Sequence, residues 1–108
     1  MKILMVCLGN ICRSPLAEGI LKEKIGQSSI NWEVDSAGTS GAHSGELPDS
    51  RSIQVAEKYG IDITDQRSRK LRSIDYEEFD LIFAMDVQNY NDIMSQARAD
   101  EIDKIKLI

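Results

Sequence analysis

The chain is poor in the features that mark a membrane, nucleic-acid or disulfide-framework protein. No apolar stretch approaches the ~20 residues of a membrane span. The N-terminal run "ILMVCL" is too short for the apolar centre of a secretory signal followed by a cleavage site. Thirteen Lys and Arg against 18 Asp and Glu leave a formal charge of −5, with both signs mixed along the chain. No basic face is expected, and no nucleic-acid partner. The 108 residues hold two cysteines, Cys7 and Cys12, and one histidine, His43. That is too thin a set for a zinc site, and C-x4-C is not a usual zinc spacing, so neither metal nor cofactor is expected. Two close cysteines without a secretory signal read as reactive or buried thiols in a cytoplasmic protein, not as a disulfide framework. Proline is scarce as well: only Pro15 and Pro48 occur, and neither follows an aspartate.

What the chain does have is apolar residues in alternating short blocks. At 42% hydrophobic content, 108 residues suit one domain, 1–108, with a core that needs no cross-link. "KILMVC" (residues 2–7) reads as a central parallel strand covered on both faces. Ser14 and Pro15 read as N-cap and first position of a helix ending at Gly26, with Leu16, Ala17, Ile20, Leu21 and Ile25 as one apolar stripe. Ile30, Trp32 and Val34 alternate like a strand before a Ser, Gly and Thr-rich loop. Asp49 caps a second helix whose apolar side is Ile53, Val55, Ala56 and Tyr59 and whose stop is Gly60. "FDLIFAM" (79–85) is a third strand, Asp86 opens a helix to about Met94, and Lys104–Ile108 is a strand-like end. The alternation implies an α/β fold in three layers, a four-stranded parallel sheet with helices on both faces. Ligands of such sheets bind at the carboxyl ends of the strands.

At the end of the first strand stands "VCLGNICRSP" (6–15). A strand-to-helix loop aims backbone N–H groups and the positive helix terminus at one point, which makes an anion site. Arg13 adds a planar fork suited to two oxygens of a tetrahedral dianion, so phosphate is the expected anion. Cys7 shares that field, which favours thiolate, and a thiolate under a phosphate is a nucleophile aimed at phosphorus. Ser14 can donate to its sulfur, and Gly9 is expected to take positive φ so that the backbone approaches the ligand. C-x5-R is a weak pattern by itself, and Cys7 reads equally as a small buried hydrophobe. The turn lacks the second Gly and the Lys of a nucleotide P-loop.

"VCLGNICRSPLAE", followed in order by "DSAGTSG", "GELPDSRS", "GID", "SRKL" and "FDLIFAMDVQN", resembles the low-molecular-weight protein tyrosine phosphatases over essentially the whole chain. The resemblance implies a phosphotyrosine protein phosphatase I-like, Rossmann-like sheet and a phosphotyrosine protein as substrate. It implies Cys7 as nucleophile, Arg13 as the phosphate-binding residue, and the amides of Leu8, Gly9, Asn10, Ile11, Cys12 and Ser14 as the cradle. Asn10, Ser14 and Ser36 match a hydrogen-bond network that shapes the loop; the residues alone read Asn10 and Ser36 as turn formers. Cys12 matches a second cysteine that pairs reversibly with the nucleophile on oxidation. Ile11 stands where related phosphoarginine phosphatases place Thr, and arsenate reductases of the same fold use further cysteines that this chain lacks.

The departures from the family are as informative. Its members carry a late Asp-Pro-Tyr segment whose Asp protonates the leaving group, and no Asp-Pro occurs here. On the family pattern, the fourth strand and last helix are cut short, leaving a monomer or weak self-association through that edge. Asp92, Asp100 and Asp103 read as solvated, and Asp86 as a helix cap near the site with a structural role. Ala42 and His43 replace an aromatic wall, with His43 read as an exposed loop histidine and not a rim contact. Gln66 lies near a position where the family often has a supporting histidine. A phosphate- or phosphotyrosine-binding module without turnover is the alternative reading.

Overall fold

The computed structural model describes residues 1–108. Strand β1 (Lys2–Cys7) leads through the loop into helix α1 (Arg13–Gly26), then β2 (Glu33–Gly38), α2 (Ser50–Lys58), α3 (Ser73–Glu78), β3 (Leu81–Ala84), α4 (Val87–Met94) and β4 (Ile105–Leu107). The four strands form one sheet in the order β2-β1-β3-β4, and every pairing is parallel. β1 is therefore central, which is why its residues 3–7 are all buried and why it carries no polar alternation.

The pleat divides β1 between two cores. Leu4 and Val6 face a cluster with Ala37, Tyr76, Phe79, Ile82, Ala84, Ile93 and Ile105, so α3 and α4 cover that side. Ile3 and Met5 face the other way with Val34, where Ala17, Leu21 and Ile25 of α1 lie against them. The spacing of four in that trio keeps it on one side of α1. Inside the first cluster the Tyr76 hydroxyl donates to the Ile93 carbonyl at 2.8 Å and ties α3 to α4. Burial, with the charges of Glu101 and Asp75, pushes the Tyr76 phenol up to about 12.

Several boundaries differ from expectation. α1 begins at Arg13 with Cys12 as its N-cap, and Ser14 is not a cap because its hydroxyl is used elsewhere. Its apolar residues form two faces, since Leu16 and Ile20 turn toward Val55, Tyr59 and Ile61 of the α2 region. β2 starts at Glu33, leaving Ile30 and Trp32 exposed outside it. Val55 and Tyr59 are exposed too. The short α3 carried no helical periodicity long enough to be read. Asp49 and Asp86 do cap α2 and α4, accepting from the N–H groups of Arg51 at 2.9 Å and Asn89 at 2.7 Å, and Gly60 ends α2 at φ +73°.

The carboxyl ends of β1, β2 and β3 lie side by side, with Cys7 opposite Gly38 and Val6 opposite Ala84. Three chain segments leave the sheet there, and that edge positions the site. Ile82 pairs with both β1 and β4 and is fully buried. Ile82→Ala should lower the free energy of unfolding by about 2–5 kcal/mol in a urea titration.

Candidate active site

The loop from Leu8 to Cys12 is held by its carbonyls. The Thr39 and Ser40 N–H groups donate to the carbonyls of Cys7 and Leu8, both at 2.9 Å, and the Asp49 N–H donates to that of Ile11 at 2.6 Å. The Ser68 hydroxyl donates to the Gly9 carbonyl at 2.8 Å. With the carbonyls drawn outward, the N–H groups of Leu8, Gly9, Ile11, Cys12, Arg13 and Ser14 have no acceptor within the chain. Such a set of free donors at a helix start is an anion cradle. Gly38 makes the outward pull achievable, since a Cβ there would lie 2.7 Å from the Leu8 carbonyl oxygen.

Asn10, not Gly9, takes the left-handed backbone, at φ +57°. Asparagine tolerates that region because its side chain hydrogen-bonds locally, and here two of its three bonds are tertiary. Its amide nitrogen donates to Ser14 Oγ at 2.8 Å and Ser36 Oγ at 2.9 Å, while its Oδ1 accepts from the Arg69 N–H at 3.0 Å. The glycine at position 9 answers to crowding instead. A Cβ there would come within 3.0 Å of His43 Cδ2.

The donors form a directed chain. Both protons of the Asn10 amide go to serine oxygens, so the Ser14 proton is free for Cys7 Sγ, 3.0 Å away. The Asn10 backbone N–H reaches the same sulfur at 3.3 Å. On the other branch Ser36 Oγ donates to Glu18 Oε1 at 2.6 Å, and Lys22 neutralises that buried carboxylate. Two donors thus converge on one buried sulfur. Cys7 itself is 3% exposed.

The structure brings together every expected residue. Cys7, Leu8, Gly9, Ile11, Cys12 and Arg13 line one open pocket of about 360 Å³ with Ser40, Ala42 and His43, and Asn10, Ser14 and Ser36 support it from beneath. Arg13 Nη1 lies 2.9 Å from Asp86 Oδ2, so Asp86 both caps α4 and fixes the guanidinium at the rim. The Asn89 N–H, and then Arg13, hold the Asp86 carboxyl below its ordinary value. His43, expected as an exposed loop histidine, does lie in a loop but is half-buried there, and it forms part of the pocket wall. Cys7 and Cys12 are both free thiols. Gln66 donates to the Pro15 carbonyl at 3.0 Å, behind the first turn of α1.

Sequence reasoning assigned no role to Glu18, Ser68 or Arg69, although the first falls within "PLAE" and the others within "SRKL". The Arg69 guanidinium donates to Asp35 Oδ2 and to both oxygens of Asp75. That clamp carries the backbone N–H that reads Asn10. Burial would raise the Asp75 carboxyl, but bonds from Arg69 and Arg72 outweigh it and hold the group below the ordinary carboxylate range. No cluster of three or more His, Cys, Asp or Glu side chains is placed to hold a metal ion. No helix is long and apolar enough to cross a membrane.

Comparison with known proteins places this geometry. The family described as low molecular weight phosphotyrosine protein phosphatase matches residues 2–108. The human low molecular weight phosphotyrosine protein phosphatase is 37% identical over 97% of this chain and 67% of its own. The crystal structure of a protein tyrosine phosphatase from Entamoeba histolytica superposes with a TM-score of 0.96 at 40% identity, covering 99% of this chain and 69% of that one. A drosophila arginine phosphatase superposes at 0.91 with 36% identity over 99% of this chain and 70% of its own. The chain spans between 54% and 70% of the length of such curated relatives.

Asn10→Ala should lower stability by about 1–3 kcal/mol by orphaning buried partners, and should weaken binding of inorganic phosphate in calorimetry. The Asp75 contribution carries a pH signature. Because its folded carboxyl titrates below the ordinary ~3.9, the stabilisation is complete above that value and is lost as the pH falls through the lowered one. Urea midpoints measured downward from pH 5 should therefore decline less steeply in Asp75→Asn than in the parent.

Proposed function

The chain belongs to the low-molecular-weight phosphotyrosine protein phosphatase family, and on that premise we propose that it hydrolyses phosphotyrosine monoesters of proteins through a phosphocysteine on Cys7. The observation that carries the reading is the Cys7 sulfur at the base of six free loop N–H groups. A phosphoryl group seated there has its non-bridging oxygens on the cradle amides and on Arg13, the residue that meets the charge developing at phosphorus. The thiolate attacks phosphorus from below, the S–P bond forms, and the ester P–O bond opposite it breaks. Water then attacks phosphorus, the S–P bond breaks, and the electron pair returns to sulfur. Ser14 Oγ and the Asn10 N–H stabilise sulfur when it is the attacking and the departing group.

The pocket walls favour an aryl ester over a guanidino phosphate. Leu8 and Ile11 offer apolar contact to a ring, and Ile11 places no hydroxyl where a guanidinium would need an acceptor. Absence of further cysteines beyond Cys7 and Cys12 weighs against an arsenate reductase. Both thiols lie along one curled loop, which supports a reversible Cys7–Cys12 disulfide as an oxidative off-switch and a cytoplasmic setting. The alternative is a binding module that holds phosphate in the same cradle without turnover.

Acid-quenched mixtures with an activated aryl phosphate distinguish the two. The expected result is a phosphoryl adduct on the Cys7 peptide by mass spectrometry, and loss of both adduct and phenol release in Cys7→Ser. Phosphate binding without any adduct would establish the binding module, and an unchanged rate in Cys7→Ser would remove the nucleophile.

A further inference from the structure

A second cavity, of about 290 Å³, adjoins the Cys7 pocket, and the two share Leu8 and Ser40 in their walls. Leu8 is more than half exposed at that boundary. Ser40 Oγ accepts from the Ala42 N–H at 3.1 Å, and its own proton finds no acceptor in the chain. Beyond the shared wall the cavity runs along Lys70, beside the end of β2, and along Asp92 and Gln96, at the end of α4.

The backbone at Lys70 is registered to the nucleophile through the sheet. Cys7 pairs with Gly38, and Gly38 bridges to Lys70 in parallel. The Gly38 N–H donates to the Arg69 carbonyl at 2.8 Å, and the Leu71 N–H donates to the Gly38 carbonyl at 2.7 Å. Two inter-strand spacings of ~4.8 Å set the Lys70 Cα roughly 10 Å from that of Cys7. The Lys70 stem lies along Gly41, where a Cβ would come 3.4 Å from Lys70 Cδ, and Gly41 leads directly into Ala42 and His43 of the Cys7 pocket. Arg13 is moored to Asp86, whereas the exposed Lys70 ammonium makes no ion pair and no hydrogen bond in the chain. Asp92, also in this cavity, accepts from Gln88 of its own helix at 3.0 Å.

We propose, resting on the phosphotyrosine reading above, that this cavity is the subsite for a residue flanking the phosphotyrosine of a substrate protein, and that Lys70 selects an acidic side chain there. With the phosphoryl group on the cradle, the peptide that carries the ring crosses the shared wall of Leu8 and Ser40, where the Ser40 hydroxyl is free to donate to a peptide carbonyl. An extended peptide advances ~3.3–3.6 Å per residue. A side chain one or two residues from the phosphotyrosine therefore comes within reach of a lysine set that far from Cys7. A carboxylate there meets an unpaired ammonium, and a basic side chain meets a like charge. The chain as a whole carries a formal charge of −5, so its overall field opposes acidic peptides, and a preference for them has to come from a local cation.

The test is fluorescence anisotropy on the Cys7→Ser chain, in which binding is read without turnover. Phosphotyrosine peptides bearing a single Glu one or two residues to either side are compared with the same peptides bearing Gln. At low salt the Glu peptide should bind about threefold more tightly at one or more of these positions, the scale of a solvent-exposed ion pair, and the preference should shrink as salt is added. Adding Lys70→Gln should erase the preference, Lys70→Glu should reverse it, and Lys70→Arg should keep it. Retained binding of the Gln peptide by the Lys70→Gln protein reports that the cradle is folded. Equal affinity for Glu and Gln peptides, or a preference that survives Lys70→Gln, would overturn the subsite and leave the phosphatase reading in place. Equal affinity for phosphotyrosine and tyrosine peptides would overturn that reading and this inference together.

Discussion

The structure depends on one constraint: every N–H that faces the cradle requires a carbonyl that faces away and is satisfied elsewhere. A peptide plane cannot aim both groups inward, so a loop that offers six donors to an anion must find acceptor partners outside itself. The carbonyls of Cys7, Leu8, Gly9 and Ile11 find them in Thr39, Ser40, Ser68 and Asp49. These four come from three stretches of chain, the end of β2, the start of α2 and the segment before α3. The parallel sheet matters to function because it delivers those stretches to one edge.

A second layer of the same logic aims two hydrogen-bond donors at the Cys7 sulfur. Asn10 spends both amide protons on serines, and that leaves Ser14 only one direction in which to donate, toward Cys7. The cost of holding Asn10 at positive φ is offset by three hydrogen bonds of its side chain, two of them buried. Glu18 closes the far branch, and a buried carboxylate is tolerable there because Ser36 and Lys22 both donate to it. Arg69 does comparable work from the opposite side. Its guanidinium is immobilised between Asp35 and Asp75, so the backbone N–H offered to Asn10 stands in a fixed place.

Much of this was legible in the residues. β1 was readable to the residue as an unbroken apolar run, as were the caps at Asp49 and Asp86, because a buried central strand and a carboxylate cap have strong local signatures. Cys7 and Arg13 were candidates from their place on a strand-to-helix turn, a weak pattern by itself, and the family resemblance singled them out together with Asn10, Ser14 and Ser36. Misreadings fell where tertiary contacts override local preference. Ser14 was read as a cap, the commonest use of serine at a helix start, but its hydroxyl is claimed by a sulfur seven residues back. Gly9 was assigned the positive φ that Asn10 adopts, because two of the three bonds that hold asparagine there come from partners 26 and 59 residues away. Trp32 alternates like a strand residue yet lies outside the sheet.

By itself the sequence determined the alternation of strands and longer helices, the central strand, and the strand-to-helix turn that carries Cys7 and Arg13. All of these are encoded within runs of about ten residues, where periodicity, capping and spacing act directly on neighbouring atoms. Only the tertiary structure decided which way the loop's peptides face, which serine reaches the sulfur, that Arg13 is moored to Asp86, and that His43 leans over Gly9 with Glu46 behind it. Each of those depends on a hydrogen bond or a van der Waals limit between residues brought together by the sheet, and no local pattern carries information about a partner that far along the chain.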